Sequence, residues 1–393
     1  MGYRGHMTME TKKEIFGRYC KEYWAAGRMR KKEILDHISD VAKIHRKAAI
    51  RRFRKLQMRD SAREDGRGGK LIYGPDVTAA LKEIWEAGNR VCAELLHPEV
   101  DEYVHILVRD RMWHHPRETT AKLRAMSLAT MKRRIGTFMR IRRERKGISD
   151  TKPSHLKHLV PIFTGPWKEK SPGYGQVDTV RHSNSAFGDA AYTTNYTDAA
   201  TMTSVLRAQW NKTQEATQRS MGEIKKRSPF GLLGVHPDTG SEFLNRFVIG
   251  WCQAEGIELS RSRPNHKNDN MYVEERNGHV VRDTIGYVTL DCPEAVDSLN
   301  ELYDVVNPYR LHFVAVRRMT KKERVGSKYV RRYEPVAKTP YWRILEHPAV
   351  SESDKMTLRT EHEKLNPLVM QREIERLVRK VYDVQKRYGK PRE

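Results

Sequence analysis

The hexapeptide Gly175-Gln176-Val177-Asp178-Thr179-Val180 decides how the rest of this chain is read. Its β-branched residues describe a buried strand that Asp178 interrupts, and a carboxylate inside a strand is costly unless it is paired or binds a cation. Working outward, the apolar run from Phe230 to Val235 ends at His236-Pro237, so Asp238 is expected at the carboxyl end of a second strand. Thr239-Gly240-Ser241 supplies turn and capping groups for a helix read over Glu242 to Ala254, with Glu242 serving its first turn. Farther on, Asn268-Asp269-Asn270 is a cap-rich loop. After it Val273, Val280, Val281 and Thr284 recur at helical spacing, with Glu274 beside that stripe one turn into a helix. Two carboxylates on strands and one on a covering helix suit Mg²⁺, which takes a few carboxylates together with waters and substrate phosphates. Asp178, Asp238 and Glu274 are therefore the candidate catalytic residues and metal ligands. Each also has an ordinary reading, as a strand-edge acid, a turn aspartate and a first-turn glutamate.

Composition bounds the partners. The chain has 393 residues and a formal net charge of +24, with a pI near 9.8 and a mean hydropathy of -0.77. Its length predicts several domains, and its charge predicts a polyanion, nucleic acid first. No apolar run reaches the roughly 20 residues of a membrane span, and Met1-Gly2-Tyr3-Arg4 does not open a signal peptide, so a cytoplasmic, nucleoid-associated protein is expected. Cys20, Cys92, Cys252 and Cys292 are too scattered for a disulfide framework or a cysteine zinc site.

In chain order, helices are expected over Thr11 to Ala26, Lys31 to Ile38 and Ile44 to Met58, with Ser39-Asp40 at the turn between the last two. This reads as a helix-turn-helix module over 1–60. Arg46, Lys47, Arg51, Arg54 and Lys55 would face DNA, and Ala48, Ala49, Ile50 and Phe53 would face inward. A Gly-rich linker covers 61–74. A second helix-turn-helix-like module is read over 75–146, with Trp85, Leu95 and Trp113 as core candidates and Ser127 as an N-cap. Met131, Ile135 and Phe138 would face in, and Lys132, Arg133 and Arg134 would lie on the basic side. A proline-bearing connector at 147–172 leads to an α/β core at 173–306. There strands are read over Tyr174 to Arg181, Ala190 to Thr197, Thr201 to Gln209, Leu232 to His236 and Ile257 to Ser260, with a helix over Lys212 to Lys226 and another over Pro293 to Val306. Arg263, Lys267 and Arg276 surround the third acidic motif as further candidate DNA contacts. A small basic β-module is expected at 307–345, with His312 to Arg318 and Lys328 to Tyr333 as strands. In the helical tail, 346–393, Met370, Ile374, Leu377, Val381, Val384 and Tyr388 form a seam that suits either a subunit contact or a fold-back onto the core.

Asp238 and Glu274 are separated by 35 residues. With 50 acids in the chain, about six acidic pairs share any one separation by chance, so the neighbouring residues carry the signal. Asp238-Thr239-Gly240-Ser241-Glu242-Phe243 and Ser262-Arg263-Pro264-Asn265-His266-Lys267-Asn268-Asp269-Asn270 resemble the local motifs of bacterial insertion-sequence transposases with a retroviral-type integrase core, the Asp, Asp, Glu family, over about Pro172 to Leu345. Thr239 and Glu275 depart from the family, where Asn and Gln are common, and Glu275 leaves two adjacent candidates for the third acid. The resemblance implies a ribonuclease H-like core with a mixed sheet and two Mg²⁺ ions, with Mn²⁺ able to substitute. It also implies a DNA transposase that cuts element ends and joins the freed 3′-hydroxyl to target DNA, with double-stranded terminal repeats and target as partners of a homo-oligomer. The alternative is a sequence-specific DNA-binding protein with an inactive core.

Overall fold

The computed structural model describes residues 9–57, 72–138, 159–165, 167, 170–185, 188–263, 270–325 and 328–390. Residues 61–71 of the expected linker, Lys267, and most of the connector lie outside them. The chain forms two compact units, Met1–Ile72 and Tyr73–Glu393.

In the first unit, among the described residues, three helices occur: α1 (Met9–Ala25), α2 (Arg28–Ala42) and α3 (Arg46–Gln57). Phe53 holds them together, its ring stacked on Tyr23 at 4.2 Å and tilted against Phe16 at 5.0 Å, with Ile34, Leu35, Ile38 and Ala49 closing the core. The turn falls at Lys43, whose φ of 48° ends α2 in the left-handed region, and not at Ser39-Asp40, which continue the helix. Lys47, Arg51, Arg54 and Lys55 are exposed on α3, whereas Arg46 is half-buried and ion-paired with Asp36.

The second unit begins with α4 (Pro75–Ala87), α5 (Ala93–Leu96), α6 (Val100–Arg109), α7 (Arg117–Arg124) and α8 (Leu128–Phe138). Met131 and Ile135 are buried, Trp85 is buried, and Leu96 rather than Leu95 turns inward. Next come β1 (Tyr174–Arg181), β2 (Ala191–Asp198), β3 (Ser204–Trp210), α9 (Gln214–Arg227), β4 (Gly234–His236), α10 (Arg246–Ala254) and β5 (Glu258–Leu259). They build a five-stranded mixed sheet in the order β3-β2-β1-β4-β5. The first three strands run antiparallel, and β1, β4 and β5 run parallel. The mixed sheet and its covering helices agree with the α/β core expected at 173–306.

Side chains of alternating strand residues divide the core. Val177, Val205 and Val235 pack with Met221, Ile224 and Val248 of α9 and α10. Val180, Leu206 and Ala208 join the opposite cluster, which α13 (Glu294–Phe313) anchors through Leu299, Leu302 and Tyr303. The same cluster takes in α4 to α8, so the expected boundary near residue 146 does not separate compact bodies. Tyr103 donates to the Phe313 carbonyl at 2.7 Å and Tyr309 to that of Ala87 at 2.6 Å.

Preceding α13 are α11 (Met271–Arg276), a π-helical turn (Asn277–Arg282) and α12 (Asp283–Ile285). Following it, β6 (Met319–Val325) and β7 (Lys328–Tyr333) make a two-stranded hairpin. His312 and Phe313 complete α13 and do not begin the strand expected there. Three helices end the chain: α14 (Pro340–Glu346), α15 (Glu352–His362) and α16 (Pro367–Tyr388). Asn366 caps α16 by accepting from Leu368 N and Val369 N at 3.0 and 3.2 Å. The seam of Met370, Ile374, Leu377 and Val381 is buried in the shared core, with α16 packed on α13 and α4. The tail thus folds back on its own unit. Among the described residues no helix is long and apolar enough to cross a membrane.

Candidate active site

Parallel pairing of β1 with β4 ends at Gln176 opposite His236. Two residues farther along each chain stand Asp178, still within β1, and Asp238, beyond the end of β4, near enough for Asp238 to raise the Asp178 carboxyl. His236 secures this end of the sheet, bonding Ser260 Oγ and Ser262 Oγ at 2.9 and 3.0 Å through its two ring nitrogens. Trp167 meets its ring edge-on at 4.8 Å. The described end of the connector therefore packs on the core, and Ile162 bridges Arg261.

Above Asp178 lies α11. Among the described residues its N-cap Asn270 makes no side-chain cap bond. The cap comes instead from β1: Gln176 Oε1 accepts from Tyr272 N at 2.8 Å and Val273 N at 3.2 Å. Gln176 and Asp178 are two apart and share a sheet face, so the strand that presents the first acid also ties down the helix that carries Glu274. A second tie crosses from β2, where Asn195 donates to Asn277 Oδ1 at 2.9 Å, and Asn277 donates onward to Asp178 Oδ2 at 2.7 Å. The π-helical turn begins at Asn277, an irregularity common at functional sites.

The electrostatics are those of crowded acids. Desolvation first, then repulsion from Asp238, Glu242 and Glu274, pushes the Asp178 carboxyl up to about 8, against a lowering by its bond from Thr179 N. Desolvation also raises Asp238, opposed by the backbone bond from Gly240 and by Lys212. Glu274 is exposed at the mouth of the site. Glu275 is half-buried with Arg276, Tyr272 and Tyr333 as its charged or polar neighbours, so of the two adjacent glutamates it is Glu274 that acts on Asp178.

Glu242 departs from expectation. Helix α10 starts only at Arg246, capped by Asn245, whose Oδ1 accepts from Phe247 N and Val248 N, both at 3.0 Å. Glu242 therefore precedes the helix in a buried turn, at 3% exposure, and Thr239-Gly240-Ser241 is no cap. Among the basic candidates, Arg276 is buried, and desolvation together with Arg310 draws it down to about 10. Arg134 is half-buried, donating to the Tyr73 carbonyl at 2.7 Å and to Thr78 Oγ1. Lys132 pairs with Glu94 at 2.8 Å. Arg133 is exposed and Arg263 half-buried. Burial of Arg276 and the intramolecular bonds of half-buried Arg134 set both apart from the exposed Lys132 and Arg133.

In chemical type the residues suit a hard divalent cation. Every donor is a carboxylate oxygen, Asp178 is held above its ordinary range by desolvation and then by its acidic neighbours, and Glu242 Oε2 is buried without a hydrogen-bond partner among the described residues. As the side chains stand, the described residues contain no group of three or more His, Cys, Asp or Glu close enough to hold an ion.

Sheet and acids together define an α/β chain with a five-stranded mixed sheet and an acidic site beside its parallel strands. The chain is 34% identical over 335 residues to the "Uncharacterized protein y4rM" of Sinorhizobium fredii (strain NBRC 101917 / NGR234), covering 84% of this chain and 94% of that protein, and it belongs to the y4rM family. No family model matches it. Among solved structures, the catalytic core domain of BIV integrase aligns with 49% of this chain and 99% of its own, at 15% identity and a TM-score of 0.28. So low a score bears no weight, and the fold rests on the strand order given above.

Proposed function

We propose that this chain is a transposase-type polynucleotidyl transferase that cuts element ends by metal-assisted hydrolysis and joins the 3′-hydroxyl to target DNA. The observation that carries this reading is the electrostatic coupling of Asp178 on β1 to Asp238, just beyond β4, and to Glu274 on α11, which adds to desolvation in raising the Asp178 carboxyl. Bound Mg²⁺ or Mn²⁺ would lower the pKa of the attacking water or hydroxyl and hold the attacking and leaving oxygens. Asp178 and Asp238 supply the strand carboxylates, Glu274 the third, and Gln176 and Asn277 keep α11 and Asp178 in register. Lys47, Arg51, Arg54 and Lys55 on α3 are the exposed residues suited to phosphate contacts in a helix-turn-helix. The net charge of +24 supports double-stranded DNA as the partner, bound at terminal repeats and target by a homo-oligomer.

The test incubates the full chain with end-labelled duplexes carrying candidate terminal repeats from either side of its gene, plus Mg²⁺ or Mn²⁺. The expected products are a nick exposing a 3′-hydroxyl and, with a target plasmid, a joined strand. Specific binding of the ends with no cleavage in either metal would overturn the enzymatic reading.

A further inference from the structure

Buried carboxylates in a fold are ordinarily satisfied by donors, and Glu242 is not. Its Oε1 receives one long bond, from the Thr179 hydroxyl at 3.4 Å, and its Oε2 has no partner among the described residues. Thr179 is the residue next to Asp178 on β1, so this bond ties Glu242 to the strand of the first acid, on which its charge also acts.

Gly240 shows where Oε2 is aimed. A Cβ placed on that glycine would lie 2.6 Å from Glu242 Oε2 and 2.8 Å from Asp238 Oδ1. Both approaches are closer than a methyl group tolerates, so the two acceptor oxygens crowd over one glycine. Asp238 Oδ1 is held there by the Gly240 N–H at 2.7 Å. Glu242 joins Lys212, Thr213, Ser241 and Phe247 in lining a cavity of about 480 Å³. Lys212 is the cation that tempers both Asp238 and Glu242.

We propose that Glu242 is a fourth carboxylate of the cation site and acts with Asp238 in holding the divalent ion. The inference rests on the functional reading above and extends its ligand set. A purely structural Glu242 would instead be a hydrogen-bond acceptor for Thr179, and an amide would serve that role nearly as well.

The probe is Mn²⁺ alone, titrated into the metal-stripped full chain and followed by the electron paramagnetic resonance signal of free Mn²⁺. Unfolding temperatures in EDTA are measured in parallel. Glu242→Gln is expected to weaken Mn²⁺ binding at least tenfold while its unfolding temperature in EDTA stays level or rises, because an unpaired buried charge is removed. Gly240→Ala keeps all four acids and places a methyl between two of them, and it too is expected to weaken binding. Mn²⁺ affinity unchanged in Glu242→Gln, with Asp178→Asn abolishing binding, would overturn this proposal and leave the functional reading standing. An unaltered protein that binds no Mn²⁺ would overturn both.

Discussion

Asp198 and Asp178 lie on adjacent strands of one sheet, and the fold treats them oppositely. Asp198, fully buried at the end of β2, accepts from Gly173 N at 2.8 Å and from Thr201 N and Thr201 Oγ1, both at 2.7 Å. Its surroundings are donors, and they hold its carboxyl to about 6 against desolvation. Asp178 has donors in Thr179 N and Asn277, but its charged surroundings are Asp238, Glu242 and Glu274, and it is pushed to about 8. One carboxylate is a knot tying the β1 entry to the turn after β2. The other is left wanting positive charge, the arrangement expected where a ligand completes the site.

The largest effect that would break this comparison is catalytic. Asp178→Asn should lower cleavage of end-labelled DNA by a factor of about 1,000 or more while end binding stays within a few-fold, because the amide keeps the shape and loses the charge a cation needs. Asp198→Asn should do the reverse, leaving turnover per folded molecule intact and costing about 2 kcal/mol of stability in urea titrations as donors lose their acceptor. An Asp198 variant that is catalytically dead yet fully stable would erase the distinction.

A middle-sized effect concerns how the site is held. Gln176→Ala frees the first amides of α11 and should cut the cleavage rate about tenfold through misplacement of Glu274, with faster hydrogen exchange at Tyr272 and Val273 as the separate signature. Unchanged exchange at those amides would show that α11 holds its place without β1.

The smallest effect is on stability against pH in EDTA. Both carboxyls have folded pKa values above the ordinary 3.8, so folding favours their protonated forms, and that contribution is full below about 4 and lost as pH rises. The share of Asp198 is lost between about 4 and 6, and that of Asp178 continues to about 8. Asp178→Asn should therefore flatten the decline in unfolding temperature between pH 6 and 8, and Asp198→Asn the decline between 4 and 6. Equal slopes in the Asp178 variant and the parent above pH 6 would contradict the crowding of acids.

Periodicity and local chemistry were enough to place β1, α9 and α16, and α16 also carried its own cap, Asn366 before Pro367, whereas the cap of α9 proved to be Thr213, one residue into the helix read from Lys212. Asp178, Asp238 and Glu274 could be singled out because an acid inside a strand, one after an apolar run and one beside a helical stripe each violate or punctuate a local pattern. Gln176 was legible in principle, being on the same strand face as Asp178, but its role requires knowing that α11 lies above it. Whether Glu274 or Glu275 faces the strands, whether Glu242 belongs to a helix, and whether Arg276 meets solvent were decided by packing. Neighbouring residues on a helix differ only in direction, and that direction acquires meaning when a sheet lies underneath. The union of α4 to α8 with α13 and α16 was likewise invisible in the chain, because an apolar seam specifies that it will be buried and not against which partner.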